Sequence, residues 1–317
     1  MSRSIIKKTC MLGAALSLAI VASSPDSASA AEGASSHYLP GSIGDFGIAL
    51  VPEPGLQVAN ILWYQSGDVG ATILQGAVNV GVDVEVILDL MAATYTFEQP
   101  VLGGSYTIGA AIPFGYADLN ARATGPFGLG AGLSADSFDL SDIAITPLQL
   151  NWNSGNWHFK IAETIIVPSG GYSTSDVVNL GRNYWSFDTV AAVTWLNPST
   201  GTEFSVQPGI MFNTENHATN YKTGTEFHVD FVANQFLAPT FAVGLKGYYY
   251  RQLTGDSGSG AVLGSFESES FGLGPGILWT PAFAEGKLAI AGKWMHDFYA
   301  ENRFESDYGM LTVGWKF

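Results

Sequence analysis

From about residue 55 to the C-terminus the chain is written in alternation. Apolar and polar residues trade places run after run, and period two means strands with two unlike faces. The clearest run is NVGVDVEVILDL, residues 79–90. Val80, Val82, Val84, Val86, Leu88 and Leu90 share one face, while Asn79, Gly81, Asp83, Glu85 and Asp89 share the other. SFDTVAAVTW, EFSVQPGIMFN, EFHVDFVANQ and FAVGLKGYYY repeat the grammar between residues 186 and 250. The last stretch, YGMLTVGWKF, places Leu311, Val313, Trp315 and Phe317 opposite Met310, Thr312 and Lys316. A soluble sheet would turn the apolar faces into a core. A membrane barrel would turn them to lipid and its polar faces to a lumen.

The connections favour the barrel. About twelve alternating segments are counted. Turns after even-numbered segments are mostly short, such as NSG and NPSTG. Those after odd-numbered segments are mostly long and polar, such as NARATGPFGLGAGLSADS, SGGYSTSDVVNLGRN and TENHATNYKTG. A sandwich has no reason to sort loop length by parity. An outer-membrane barrel does, with short periplasmic turns and long external loops. Aromatic residues near segment ends, including Trp63, Tyr64, Trp157, Tyr184, Trp185, Trp279 and Trp315, suit interfacial girdles.

Residues 1–30 read as a signal peptide, with basic Arg3, Lys7 and Lys8, an apolar run from Met11 to Ala22, and Ala28-Ser29-Ala30 as the cleavage motif. The single cysteine, Cys10, falls within it, so the mature chain offers no disulfide and no thiol chemistry. Removing Arg3, Lys7, Lys8 and Asp26 with that segment leaves ten bases against twenty-seven acids, a net charge of −17. That balance excludes nucleic acid as a partner, which asks for a basic face. Charged residues make up only 13% of the chain, where about 25% is usual. No mature segment reaches the roughly 18 uncharged apolar residues of a helical span. An exported, weakly charged, glycine-rich chain without helical spans enters lipid only by closing a sheet, because lipid leaves no backbone group unpaired. The expected fold is an all-β, transmembrane, antiparallel up-and-down barrel of about twelve strands over residues 55–317. It is placed in the bacterial outer membrane among lipid and lipopolysaccharide.

The barrel reading assigns lumen or solute-path positions to Asp83, Glu85, Asp188, Glu203, His228, Asp230, Lys246, Tyr248, Tyr250 and Lys293. Their signs are mixed and aromatic rings stand among them, which suits a neutral or weakly charged solute better than a charge-selective ring. Residues 31–54 form a leader whose Tyr38, Phe46 and Ile48 need cover. They are plug candidates, with a strand capping the periplasmic rim as the alternative. Phe317, with Trp315, reads as the terminal aromatic signal recognised by the barrel-assembly machinery.

Three chemical motifs were weighed. GLGPG at Gly272–Gly276 lacks the spacing and strand-turn-helix setting of a phosphate loop. His228 and Asp230 share a face, so an activated water is conceivable, but no nucleophile arrangement accompanies them, and a hydrogen-bond ladder is the plainer reading. The histidines lack ligand spacing, so neither metal nor cofactor is expected. Loop acids such as Asp176, Glu215 and Asp256 read as solvated surface or as a place for cations beside lipopolysaccharide.

HYLPGSIGDFG, GRNYWSFD, FNTENHATNYKTG and GDSGSGAVLGSF together resemble the transporter-like outer-membrane family named for the meta-pathway of phenol degradation. The resemblance implies a part in uptake of aromatic compounds, and carries no established binding residues. The expected function is a passive channel for small aromatic or hydrophobic solutes, not an enzyme. A structural barrel with a closed lumen and an outer-membrane hydrolase remain as alternatives.

Overall fold

A computed structural model describes residues 36–73, 78–124, 130–262 and 264–317. The expected signal peptide lies outside them. Among the described residues no helix is long and apolar enough to cross a membrane. The chain instead forms β1 (Gly55–Ile73), β2 (Val78–Thr96), β3 (Ser105–Thr124), β4 (Gly130–Leu140), β5 (Ile143–Ser154) and β6 (Trp157–Val167). After a long loop come β7 (Ser186–Asn197), β8 (Thr202–Asn213), β9 (Glu226–Ala238) and β10 (Phe241–Gln252). β11 (Glu269–Trp279), β12 (Leu288–Glu301) and β13 (Glu305–Lys316) complete it. All pairings are antiparallel between neighbours, and β1 pairs with β13 to close the sheet. Closure removes the free edges that lipid would not tolerate.

β4 and β5 are one stave broken at Ser141-Asp142. Both pair with β3, β4 along Phe114–Thr124 and β5 along Ser105–Ala111. The thirteen strands therefore make twelve staves, and both chain ends fall on the same rim, the periplasmic one. β4 departs where β6 has already ended, so its second edge meets the β6–β7 loop instead: Gly171 N–H donates to the Leu140 carbonyl at 2.9 Å.

The outside is apolar. Leu62, Met91, Ile112, Phe204, Phe212 and Leu311 are exposed there, with Trp157, Trp185, Trp279, Trp294 and Trp315 among them. A closed sheet that is greasy outside and polar inside has one stable environment, a membrane, and the exterior matches the outer-membrane class. The alternation was read the right way round on β7 to β10. It was read the wrong way round on β2. Val84, Val86, Leu88 and Leu90 face the lumen, and Asp83 and Glu85 stand exposed on the outer surface. The cause is length. β1, β2 and β3 run for 19, 19 and 20 residues, about twice a membrane crossing. Beyond the lipid their outward positions meet water and carry acids, so polarity there marks the outside. Trp63 is a second correction. It is buried in the lumen, not in a girdle, and Tyr184 is also buried.

Candidate lumen site

The leader enters the lumen. Its residues 36–54 make no strand, and their backbone groups are met by side chains of the wall. Gly47 N–H donates to Glu203 Oε1 at 2.8 Å, and Ala49 N–H to Thr194 Oγ1 at 3.0 Å. Asn151 Nδ2 donates to the carbonyls of Ala49 and Leu50. Lys246 Nζ donates to the Asp45 carbonyl at 3.0 Å, with its charge 3.3 Å over the Phe46 ring. Lys293 Nζ reaches the Gly44 carbonyl at 3.1 Å and pairs with Asp45 Oδ1 at 2.9 Å. Ile48 is half-buried between the two anchored N–H groups. Buried backbone must find partners somewhere, and here wall side chains replace a strand's ladder.

Alternation makes that wall polar. Inward positions of β7 to β10 supply Asp188, Glu203, His228, Asp230, Lys246, Tyr248 and Tyr250, all buried. His228 Nε2 lies 3.0 Å from Asp188 Oδ1, and Tyr38 covers the imidazole, stacked at 4.3 Å between ring centres. Tyr38 also stacks on Tyr250 at 5.8 Å and donates its hydroxyl to Asp230 at 3.2 Å. Asn234 links Glu203 to Lys246 by bonds of 3.0 and 2.6 Å. Tyr248 donates to Asp297, which also accepts from Tyr308 at 3.1 Å. Eight of the ten lumen positions read from the sequence thus meet on one continuous wall around the leader, and Asp83 and Glu85 do not join them.

The other half of the lumen is different. A chamber of about 650 Å³ lies between the leader and β1 to β3. Its wall is Ile61 and Trp63 from β1, Val84, Val86, Leu88 and Leu90 from β2, and Ala117 and Leu119 from β3. Leu39 and Ile43 of the leader and Val178 and Leu180 of the β6–β7 loop close the far side. Few polar groups border it, chiefly Asp142, Arg182 and Arg303. Asp142, at the stave break, is a hub. Its Oδ1 accepts from the N–H groups of Ser169 and Gly170, and its Oδ2 from Arg182 N–H and from His37 Nε2 at 2.9 Å. Leader, loop and broken stave are tied through one carboxylate. Burial pushes the His37 imidazole below its ordinary value, and the hydrogen bond to Asp142 only partly offsets this.

Sequence reasoning missed the chamber, although one signal was present. Ile61-Leu62-Trp63-Tyr64 is apolar on both faces at once, the mark of a strand buried on both sides. Phe317 and Trp315 do lie on the outward face of β13, with Phe317 N–H bonded to the Leu56 carbonyl at 3.0 Å. Asp256, read as a surface acid, is buried and accepts from Gly224 N–H and Gln252 Nε2. Among the described residues no cluster of three or more potential ligands is arranged to hold a metal.

Known proteins place this geometry. The COG4313 outer membrane channel from Pseudomonas putida F1 shares the fold at a TM-score of 0.67 and 14% identity, over 86% of this chain and 99% of that one. The transport unit of the autotransporter AIDA-I from Escherichia coli is more distant, at a TM-score of 0.46 and 12% identity, over 84% and 91% of the two chains. No curated protein sequence matches. A family model described as "Putative MetA-pathway of phenol degradation" matches residues 67–313, most of the barrel but not the leader, and the chain belongs to that family.

Proposed function

We propose that the protein is a passive outer-membrane channel for small aromatic or modestly hydrophobic solutes. The observation that carries this reading is the apolar chamber inside a barrel whose lumen is otherwise polar. A site of this size with few polar groups suits a small molecule with a large apolar fraction. A family named for phenol degradation supports the same solute class. In this reading the leader is a plug that leaves one side of the lumen free, and Tyr38, Phe46 and Ile48 hold it. The lumen residues Asp188, Glu203, His228, Asp230, Lys246, Tyr248, Tyr250 and Lys293 act first as its dock, and border the solute path only when it moves. Catalysis is not part of the proposal. His228 is fully buried beneath Tyr38, so no substrate atom reaches it in this arrangement.

One observation favours a closed structural barrel: the leader fills the polar half of the lumen. Liposome uptake decides between the two. Full-length protein and a form lacking Glu32–Glu53 are compared with a phenolic compound, a sugar and a multiply charged anion. The channel reading expects the phenolic to lead in the full-length protein and all three to pass once the leader is gone. No passage in either form would establish the closed barrel.

A further inference from the structure

The chamber has an unmet chemical need. Buried polar atoms are nearly always paired, so each exception asks for a reason. Among the described residues, two of the buried side-chain atoms without a hydrogen-bond partner belong to residues bordering the chamber. They are Trp63 Nε1 and Arg303 Nη1. Both are donors, and neither side chain has any acceptor capacity. The unpartnered acceptors of the lumen, on Glu226, His228 and Asp230, sit in residues that do not border the chamber.

Arg303 lies in the turn between β12 and β13 and folds inward until only 6% of it is exposed. Its guanidinium lies over the Tyr250 ring at 4.2 Å, and no carboxylate stands within salt-bridge distance among the described residues. The acids of its cluster are engaged elsewhere. Asp297 accepts from Tyr248, Tyr308 and Ser306, and Glu226 from Tyr250 at 2.9 Å. Trp63 packs against Tyr308 at 5.8 Å, in the same tyrosine cluster. A permanent cation and an indole N–H thus border an apolar space and lack an acceptor. Leaving such a donor unsatisfied is costly, more so for a charged one.

We propose that the chamber is a binding site for aromatic carboxylates. The ring would lie among Val86, Leu88 and Ala117, and the carboxylate would accept from Arg303 and Trp63. Arginine suits this role because its planar fork matches a carboxylate. The proposal rests on the channel reading above and names its solute class.

Calorimetric titration of the full-length protein in detergent tests it with benzoate, phenol, benzylamine and acetate. Benzoate is expected to bind at least about tenfold more tightly than each of the others, since only it offers both an apolar ring and a charged acceptor. Arg303→Met should lower the benzoate-to-phenol affinity ratio by about tenfold. Trp63→Phe keeps the ring, removes the donor and should lower the same ratio by a smaller factor. It serves as the second variant if the first does not reach the heat-modifiable, folded form. Benzylamine binding as well as benzoate, or a ratio unmoved by both variants, overturns the proposal. Phenol uptake without any preference for benzoate removes the proposal and leaves the channel. Failure of phenol and benzoate alike, in binding and in uptake, removes both.

Discussion

The two halves of the lumen are built from the same alternating grammar and end in opposite states. From β7 to β10 the inward faces are polar, buried and occupied by the leader. On β1 to β3 the inward faces are apolar and leave a chamber of about 650 Å³. The polar half is held by directional bonds that specify one partner, the leader backbone. The apolar half makes no such demand, because dispersion and burial accept any surface of fitting size. The difference teaches where specificity was placed: the plug is recognised by bonds, and the solute by space.

The largest effect should come from removing the occupant of the polar half. A barrel of twelve staves lies between side-chain-filled and water-filled barrels, so loss of residues 32–53 should raise single-channel conductance by about tenfold or more. Unchanged conductance in planar bilayers would mean that the leader does not limit the path. Filling the other half comes next. Ala117→Trp should reduce phenolic uptake by about tenfold, because overpacking a tight wall leaves no free volume. It should leave the conductance gained by leader deletion largely in place. If both fall together, the halves are one path and the comparison fails.

Tyr38→Ala should act more weakly. It removes two ring stacks and one hydrogen bond to Asp230, worth about 3–5 kcal/mol of leader docking on the scale of buried aromatic truncations. The readout is faster cleavage of the leader by added protease and more frequent opening events. The smallest effect is acid. His37 has a lowered value when docked, so the docked leader binds fewer protons than the released one. Docking is therefore fully favourable above about pH 6.5 and weakens as pH falls below it. Open probability should rise a few-fold between about pH 7.5 and 5 on that linkage, and His37→Gln should flatten the profile. A fall in opening with acid would reverse the assignment of His37.

The fold was legible because its cause is local and repeated. Strands such as EFSVQPGIMFN must show lipid one face and the lumen the other, and residue alternation records that directly. The site was only half legible, for the same reason. Alternation tells which residues share a face but not which face is inside. On β8 and β9 lipid settles the choice. On the overlong β2, Asp83 and Glu85 lie outward in water while Val84 and Val86 face an apolar chamber, so the usual rule inverts. The leader's docking was illegible for another reason. Its partners are Asn151, Thr194, Glu203, Lys246 and Lys293, which no periodicity connects to residues 44–50.

That wide spacing of partners sets an order of events in time. The leader precedes every strand in the chain, yet its anchors extend to Lys293 on β12, 249 residues beyond Gly44. The complete set of anchoring bonds exists only after β12 has joined the wall. The part made first is thus seated last. Until then its apolar side chains need shelter from some other surface, as do all early segments whose partners are distant. Seating the leader can therefore report that the sheet has closed, with no separate sensor.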